Sequence, residues 1–108
     1  MANFRNDAPF KVRKHIQLIN GVNSVSITGD ESLTVASSTF QFLSGGGSDF
    51  DINLPAEEDG IYFWIVNTGP TNDLLVKDLS PATIETITPG KGALLVCDGV
   101  AWRTVISA

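Results

Sequence analysis

Asp49-Phe50-Asp51-Ile52-Asn53-Leu54 alternates polar and apolar residues without a break. Side chains flip from face to face along a strand, so Phe50, Ile52 and Leu54 share one face. The neighbouring stretches repeat this period. Phe40 and Phe42 fall together within Thr39 to Leu43, Val25 with Ile27, and Leu33 with Val35. No stretch of eleven or more residues carries a helical period. Pro9, Pro55, Pro70, Pro81, Pro89 and the ten glycines cut the chain at short intervals. Short strands separated by turn residues predict an all-β fold, a small β-sandwich or barrel.

Two segments break the alternation in the apolar direction. Ile61-Tyr62-Phe63-Trp64-Ile65-Val66 and Ala93-Leu94-Leu95-Val96-Cys97 are apolar at odd and even positions alike. Such a strand is covered on both sides. A chain of 108 residues is one domain's worth and has one interlayer core. The second face therefore points to a subunit interface, with Tyr62, Trp64 and Val66 on it. Composition agrees, since only 18% of residues are charged against 43% hydrophobic, and globular surfaces average about one quarter charged. The expected assembly is a compact homo-oligomer.

Turn chemistry places the connections. Asp98-Gly99 predicts a two-residue hairpin turn between Ala93–Cys97 and Val100–Ile106. Gly29-Asp30 reads as a similar joint between strands at 24–28 and 32–36. Gly45-Gly46-Gly47-Ser48 reads as a mobile loop, and Pro89-Gly90-Lys91-Gly92 as a turn. Ile84 and Ile87 lie three apart, which predicts a bulge or bend in 83–87. No internal repeat is visible.

Charge is unevenly placed along a chain of net charge −5. Residues 1–29 carry Arg5, Lys11, Arg13 and Lys14 against Asp7 alone, and the acids concentrate in the remainder. An acidic body repels nucleic acid. The longest apolar run falls far short of the ~20 residues of a membrane-spanning helix, and no signal peptide is visible. Residues 1–15 read as an extended basic arm and residues 16–108 as a single β-domain. Phe4, Arg5, Phe10, Lys11, Arg13 and Lys14 are the arm's candidate docking residues. An extended peptide of this kind adds to a sheet edge through main-chain bonds, and its charges speed encounter with an acidic partner.

The residues supply no reaction. His15 is the only histidine and has no fixed partner, so no nucleophile triad follows. Cys97 sits in an apolar strand and reads as a buried, inert thiol; a single cysteine also excludes an internal disulfide framework. Asp49, Asp51 and Glu57-Glu58-Asp59 lack the spaced ligands and sharp glycine turn of a calcium loop. The glycine-rich stretches lack phosphate-loop spacing and a following helix. Trp64 and Trp102 read as interface or core groups rather than a sugar-stacking platform. The expectation is no catalysis, no cofactor and no metal.

Several stretches resemble a known family. They are Phe40-Gln41-Phe42-Leu43 with the following glycine-rich loop, Phe50 to Glu57 with its Leu54-Pro55-Ala56, Asp59-Gly60 to Asn67-Thr68, and Val96-Cys97-Asp98-Gly99-Val100-Ala101-Trp102-Arg103. Together, over roughly residues 39–106, they resemble small β-rich structural proteins of tailed bacteriophages. The chain is similar to head-decoration (cement) proteins and to β-modules of tail fibres. The resemblance implies a trimer on the outer surface of the virion, bound to the major capsid protein and stabilising contacts between its subunits. The alternative it implies is a tail-fibre module contacting a host glycan.

Overall fold

The computed structural model describes residues 21–106. They form nine strands and no helix: β1 (Val22–Ile27), β2 (Glu31–Ser32), β3 (Phe40–Gly45), β4 (Phe50–Asn53), β5 (Tyr62–Asn67), β6 (Leu74–Lys77), β7 (Thr83–Ile87), β8 (Gly92–Cys97) and β9 (Trp102–Ile106). The strands make two sheets. The first has the order β1-β3-β5-β8-β9, the second β2-β4-β6-β7.

The chain winds from one sheet to the other and back. β1, β3 and β5 stack in parallel, as do β2, β4 and β6. The winding then reverses. β7 pairs antiparallel with β6, β8 with β5, and β9 with β8. Gly29-Asp30 is therefore no hairpin joint, because β1 and β2 lie in different sheets and the dipeptide turns the corner between them. The three stacked passes went unread as a repeat because the corners and the connection back to the first sheet differ in composition at each pass.

Polar groups at the corners hold one pass to the next. The Gly46 N–H donates to the Ile27 carbonyl (3.1 Å) and the Thr68 N–H to the Leu43 carbonyl (2.9 Å). The Asp30 carboxylate accepts from the Asp51 N–H and the Asp49 carboxylate from the Asp73 N–H, both at 2.8 Å. The aspartates of the alternating stretch thus serve the winding, and Asp51 also pairs with Lys77 at 3.1 Å.

Between the sheets lie Leu43, Ile52, Leu54, Ile65, Leu74, Val76, Ile87 and Leu95, all essentially inaccessible to solvent. Phe50, Ile52 and Leu54 contribute to this core as their alternation requires. Trp102 closes it near the reversed end. Its ring lies 6.1 Å from that of Phe63, and its Nε1–H donates to the Pro55 carbonyl at 3.4 Å. Asn67 is the buried polar knot. Its Nδ2 donates to the carbonyls of Asn72 (2.7 Å) and Ile87 (2.8 Å), and its Oδ1 accepts from the Gly69 N–H at 2.9 Å.

The expected bulge is present, with a register shift between Val76 and Lys77 opposite Glu85 and Thr83. Pro89 and Gly90 make the turn before β8: the Lys91 N–H donates to the Thr88 carbonyl, and Gly90 has φ +82°, which suits glycine at the third position of a type II turn. The C-terminal hairpin joins β8 to β9 as expected, but its loop is Asp98-Gly99-Val100-Ala101 rather than two residues. Cys97 faces Trp102, and the Asp98 N–H bonds the Ala101 carbonyl. The longer loop lets the Asp98 carboxylate accept from the Val100 and Ala101 N–H groups (2.9 Å each) and pair with Arg103 Nε at 3.0 Å.

Those donors hold the Asp98 carboxyl down to about 2, the Ala101 and Val100 N–H groups first and Arg103 after them. Folding lowers this pKa, so the ionised form favours the folded hairpin. That contribution is complete above the ordinary carboxylate value near 4 and disappears as pH falls toward 2. A carboxyl-carbon NMR titration should place the Asp98 midpoint near 2. A midpoint near 4 would mean that the loop bonds do not form in solution.

Candidate functional site

Alternation along β5 sends Phe63, Ile65 and Asn67 into the core and Tyr62, Trp64 and Val66 outward. The same parity holds across the sheet, because residues directly opposite one another share a face. The register aligns Val22, Phe40, Trp64, Leu94 and Val105 in one outward row that crosses all five strands. A second row aligns Ser24, Phe42, Val66 and Gly92, and a third aligns Tyr62, Val96 and Arg103.

This face is apolar over its central rows and polar at the Ser24, Ser26 and Ser44 corner. Val22, Tyr62, Trp64 and Val105 are 59%, 43%, 40% and 68% exposed; Phe40, Phe42, Val66, Leu94 and Val96 are half-buried against their neighbours. Arg103 is the only charged residue among the outward strand positions of the described sheet, and it is engaged with Asp98. Gly92 leaves room for its neighbour: a Cβ there would stand 3.1 Å from the Val66 methyl group. The second sheet is the opposite case. Its outward positions include Asp51, Asn53 and Lys77, with the ion pair between Asp51 and Lys77 across it.

Five strands about 4.8 Å apart and three side-chain rows about 7 Å apart make a patch of roughly 300–500 Å². A patch of that size matches the largest apolar patch of a typical monomer, which is often functional. Trp and Tyr near its centre are the residue types that carry most binding energy at interfaces. Chemically the face can exclude water against another apolar surface.

The three residues expected at an interface thus share this face. Sequence reasoning missed its other members. Phe40 and Phe42 were visible as a same-face pair, but only the register shows that their face is outward and that Gln41 and Leu43 point to the core. Val22 carries no local signal, being a lone apolar residue among polar neighbours, and Val105 beside Ile106 does not show which of the two faces outward. The six candidate arm residues, Phe4, Arg5, Phe10, Lys11, Arg13 and Lys14, lie outside the described residues, as does His15. Trp102 lies at the core edge rather than on the patch, and the Cys97 side chain is buried. Among the described residues no cluster of His, Cys, Asp or Glu is arranged to hold a metal ion.

Comparison of the chain with protein-family models, with curated proteins and with solved structures finds no match.

Proposed function

We propose that this protein is a structural decoration protein of a virion, a cement that assembles as a trimer and holds neighbouring major capsid subunits from outside. The observation that carries the reading is the apolar row Val22–Phe40–Trp64–Leu94–Val105 on the outer side of one sheet, opposite a polar sheet. Copies of the chain meet through that row, around Tyr62, Trp64 and Val66. The two-sheet body then acts as a sandwich-like plug whose polar sheet faces solvent. The extended arm, residues 1–15, reaches the capsid with Phe4 and Phe10 as anchors and Arg5, Lys11, Arg13 and Lys14 as steering charges. An oligomer presents several arms at once, which raises their effective concentration on a repeating surface. The capsid assignment itself rests on the resemblance of residues 39–106 to phage decoration proteins. No catalytic step and no cofactor belong to this reading.

A second reading has one observation in its favour. A stack of parallel passes, with β1 and β2 as end strands among the described residues, is a unit that can continue a longer stack, as a β-module within a tail fibre contacting a host glycan would. Immunogold labelling of intact virions with antibody against this chain separates the two. Label distributed over the head supports the cement. Label confined to the tail tip contradicts it and supports the fibre module.

A further inference from the structure

The apolar face alone is small for an assembly. Its roughly 300–500 Å² is about half of the ~800 Å² that each partner contributes to a standard interface. Among the described residues the same sheet offers two further surfaces, the free edges of its outermost strands, β1 and β9. Natural sheets blunt an exposed edge with proline, lysine, a bulge or an inward-pointing charge. Neither strand contains proline or lysine, and neither shifts register against its neighbour. The one charged residue on them, Arg103, is paired with Asp98.

Both edges also carry apolar side chains that a single chain leaves open. On the outward face these are Val22 and Val105, 59% and 68% exposed. On the core side they are Val25, opposite the buried Leu43, and Ile106, opposite the buried Ala93, 44% and 39% exposed.

Backbone parity decides how the two edges can join. The Phe40 N–H donates to the Gly21 carbonyl (2.7 Å), and the Gly46 N–H to the Ile27 carbonyl (3.1 Å). Odd-numbered residues of β1 thus turn their backbone groups toward β3, and Val22, Ser24 and Ser26 turn theirs to the free edge. At the other side of the sheet the Cys97 N–H donates to the Ile61 carbonyl (2.9 Å). Even-numbered residues of β8 therefore serve β9, where they face Arg103 and Val105, and Trp102, Thr104 and Ile106 turn their backbone groups to the free edge. The two edge strands run in the same direction, because β1, β3 and β5 are parallel, β8 reverses and β9 reverses again. In a parallel pair, a residue whose groups face the partner stands opposite one whose groups face away, and both lie on the same face. The even residues of β1 and the odd residues of β9 meet that condition, since both point to the outward face.

We infer that the β9 edge of one copy pairs in parallel with the β1 edge of the next, a head-to-tail contact between copies of this chain. Residues 22–25 lie beside residues 103–106 of the next copy, the register that sets Val25 against Ile106 on the core side. The Ser24 N–H then donates to the Thr104 carbonyl of the next copy, and the Ser24 carbonyl accepts from its Ile106 N–H. Val105 comes diagonal to Val22, so the apolar row of one copy adjoins that of its neighbour. Pairing of β9 with itself is poorer. At full overlap its two-fold axis falls at Thr104, whose hydroxyl donates to Glu85 at 3.1 Å, and two Glu85 carboxylates would meet. A head-to-tail contact uses two different surfaces and repeats until a ring closes, with three copies in the trimer proposed above.

The inference rests on the reading that copies associate, and the test separates the two. In Val25→Cys/Ile106→Cys the substituted positions of one chain are four strand spacings apart, about 19 Å, beyond disulfide reach. Cys97 is buried, so every new disulfide joins two copies. Sedimentation velocity of the reduced variant reports association, and a non-reducing gel after mild oxidation reports the edge contact. The expected result is association with covalent species of up to three chains, absent from Val25→Cys and from Ile106→Cys alone. A ladder beyond three chains keeps the edge pairing and overturns the trimer. Association without a cross-link overturns the edge pairing and leaves the face as the contact. No association overturns both. Thr104→Pro gives a second measure, since it removes an N–H that faces the free edge, where proline is tolerated. It should leave the far-UV circular dichroism unchanged and weaken association about ten-fold or more. Unchanged association of that folded variant overturns the inference.

Discussion

Trp64→Asp should separate the proposed trimer into folded monomers. Trp64 stands third in the five-residue outward row, flanked by Phe40 and Leu94 on the neighbouring strands. Trp64 is 40% exposed in the single chain, so a carboxylate there costs something within the fold and something more between copies. A central aromatic at an interface contributes about 2–4 kcal/mol, and a buried, unpaired carboxylate adds to the loss. Association should weaken by about a hundred-fold or more. The fold should change little, because the core neighbours Phe63 and Ile65 face the other way. Far-UV circular dichroism checks the fold and sedimentation velocity the assembly. Arg103→Ala, at the rim and already paired with Asp98, should leave association nearly unchanged.

Asn67→Ala should be among the most destabilising single substitutions in the chain. Asn67 is fully buried, and its amide satisfies the carbonyls of Asn72 and Ile87 and the N–H of Gly69. Removing it orphans three backbone groups, each worth roughly 1–3 kcal/mol when left buried without a partner. Local relaxation admits water to some of them, so the net loss should be about 3–5 kcal/mol. For a domain of this size that lowers the midpoint of thermal unfolding by roughly 15–30 °C. Asn67→Asp should be worse, since a carboxylate cannot donate to the two carbonyls and brings a buried charge. A loss below about 1 kcal/mol for the alanine variant would show that the knot is dispensable.

The strands were legible in the sequence because period two is a local property. Phe50, Ile52 and Leu54 are in the core, and 61–66 is apolar on both faces of β5. The bulge at Ile84 and the Pro89-Gly90 turn were legible for the same reason. The pairing was not. Whether Gly29-Asp30 folds β1 onto its successor or carries the chain to a second sheet depends on contacts many residues away, and the dipeptide tolerates both. The outer row was legible only where it crosses the doubly apolar segments 61–66 and 93–97. Its ends, Val22 and Val105, belong to it through register alone. Nothing local marks Asn67, because the backbone groups of Gly69, Asn72 and Ile87 converge on it only in the fold.

The proposed assembly requires copies of this chain to meet through the outer face of the five-stranded sheet. Sedimentation velocity of the unsubstituted protein at micromolar concentration tests that most directly. A single boundary at the mass of three chains is the predicted result. A boundary at the mass of one chain, unchanged across the concentration range, would contradict it.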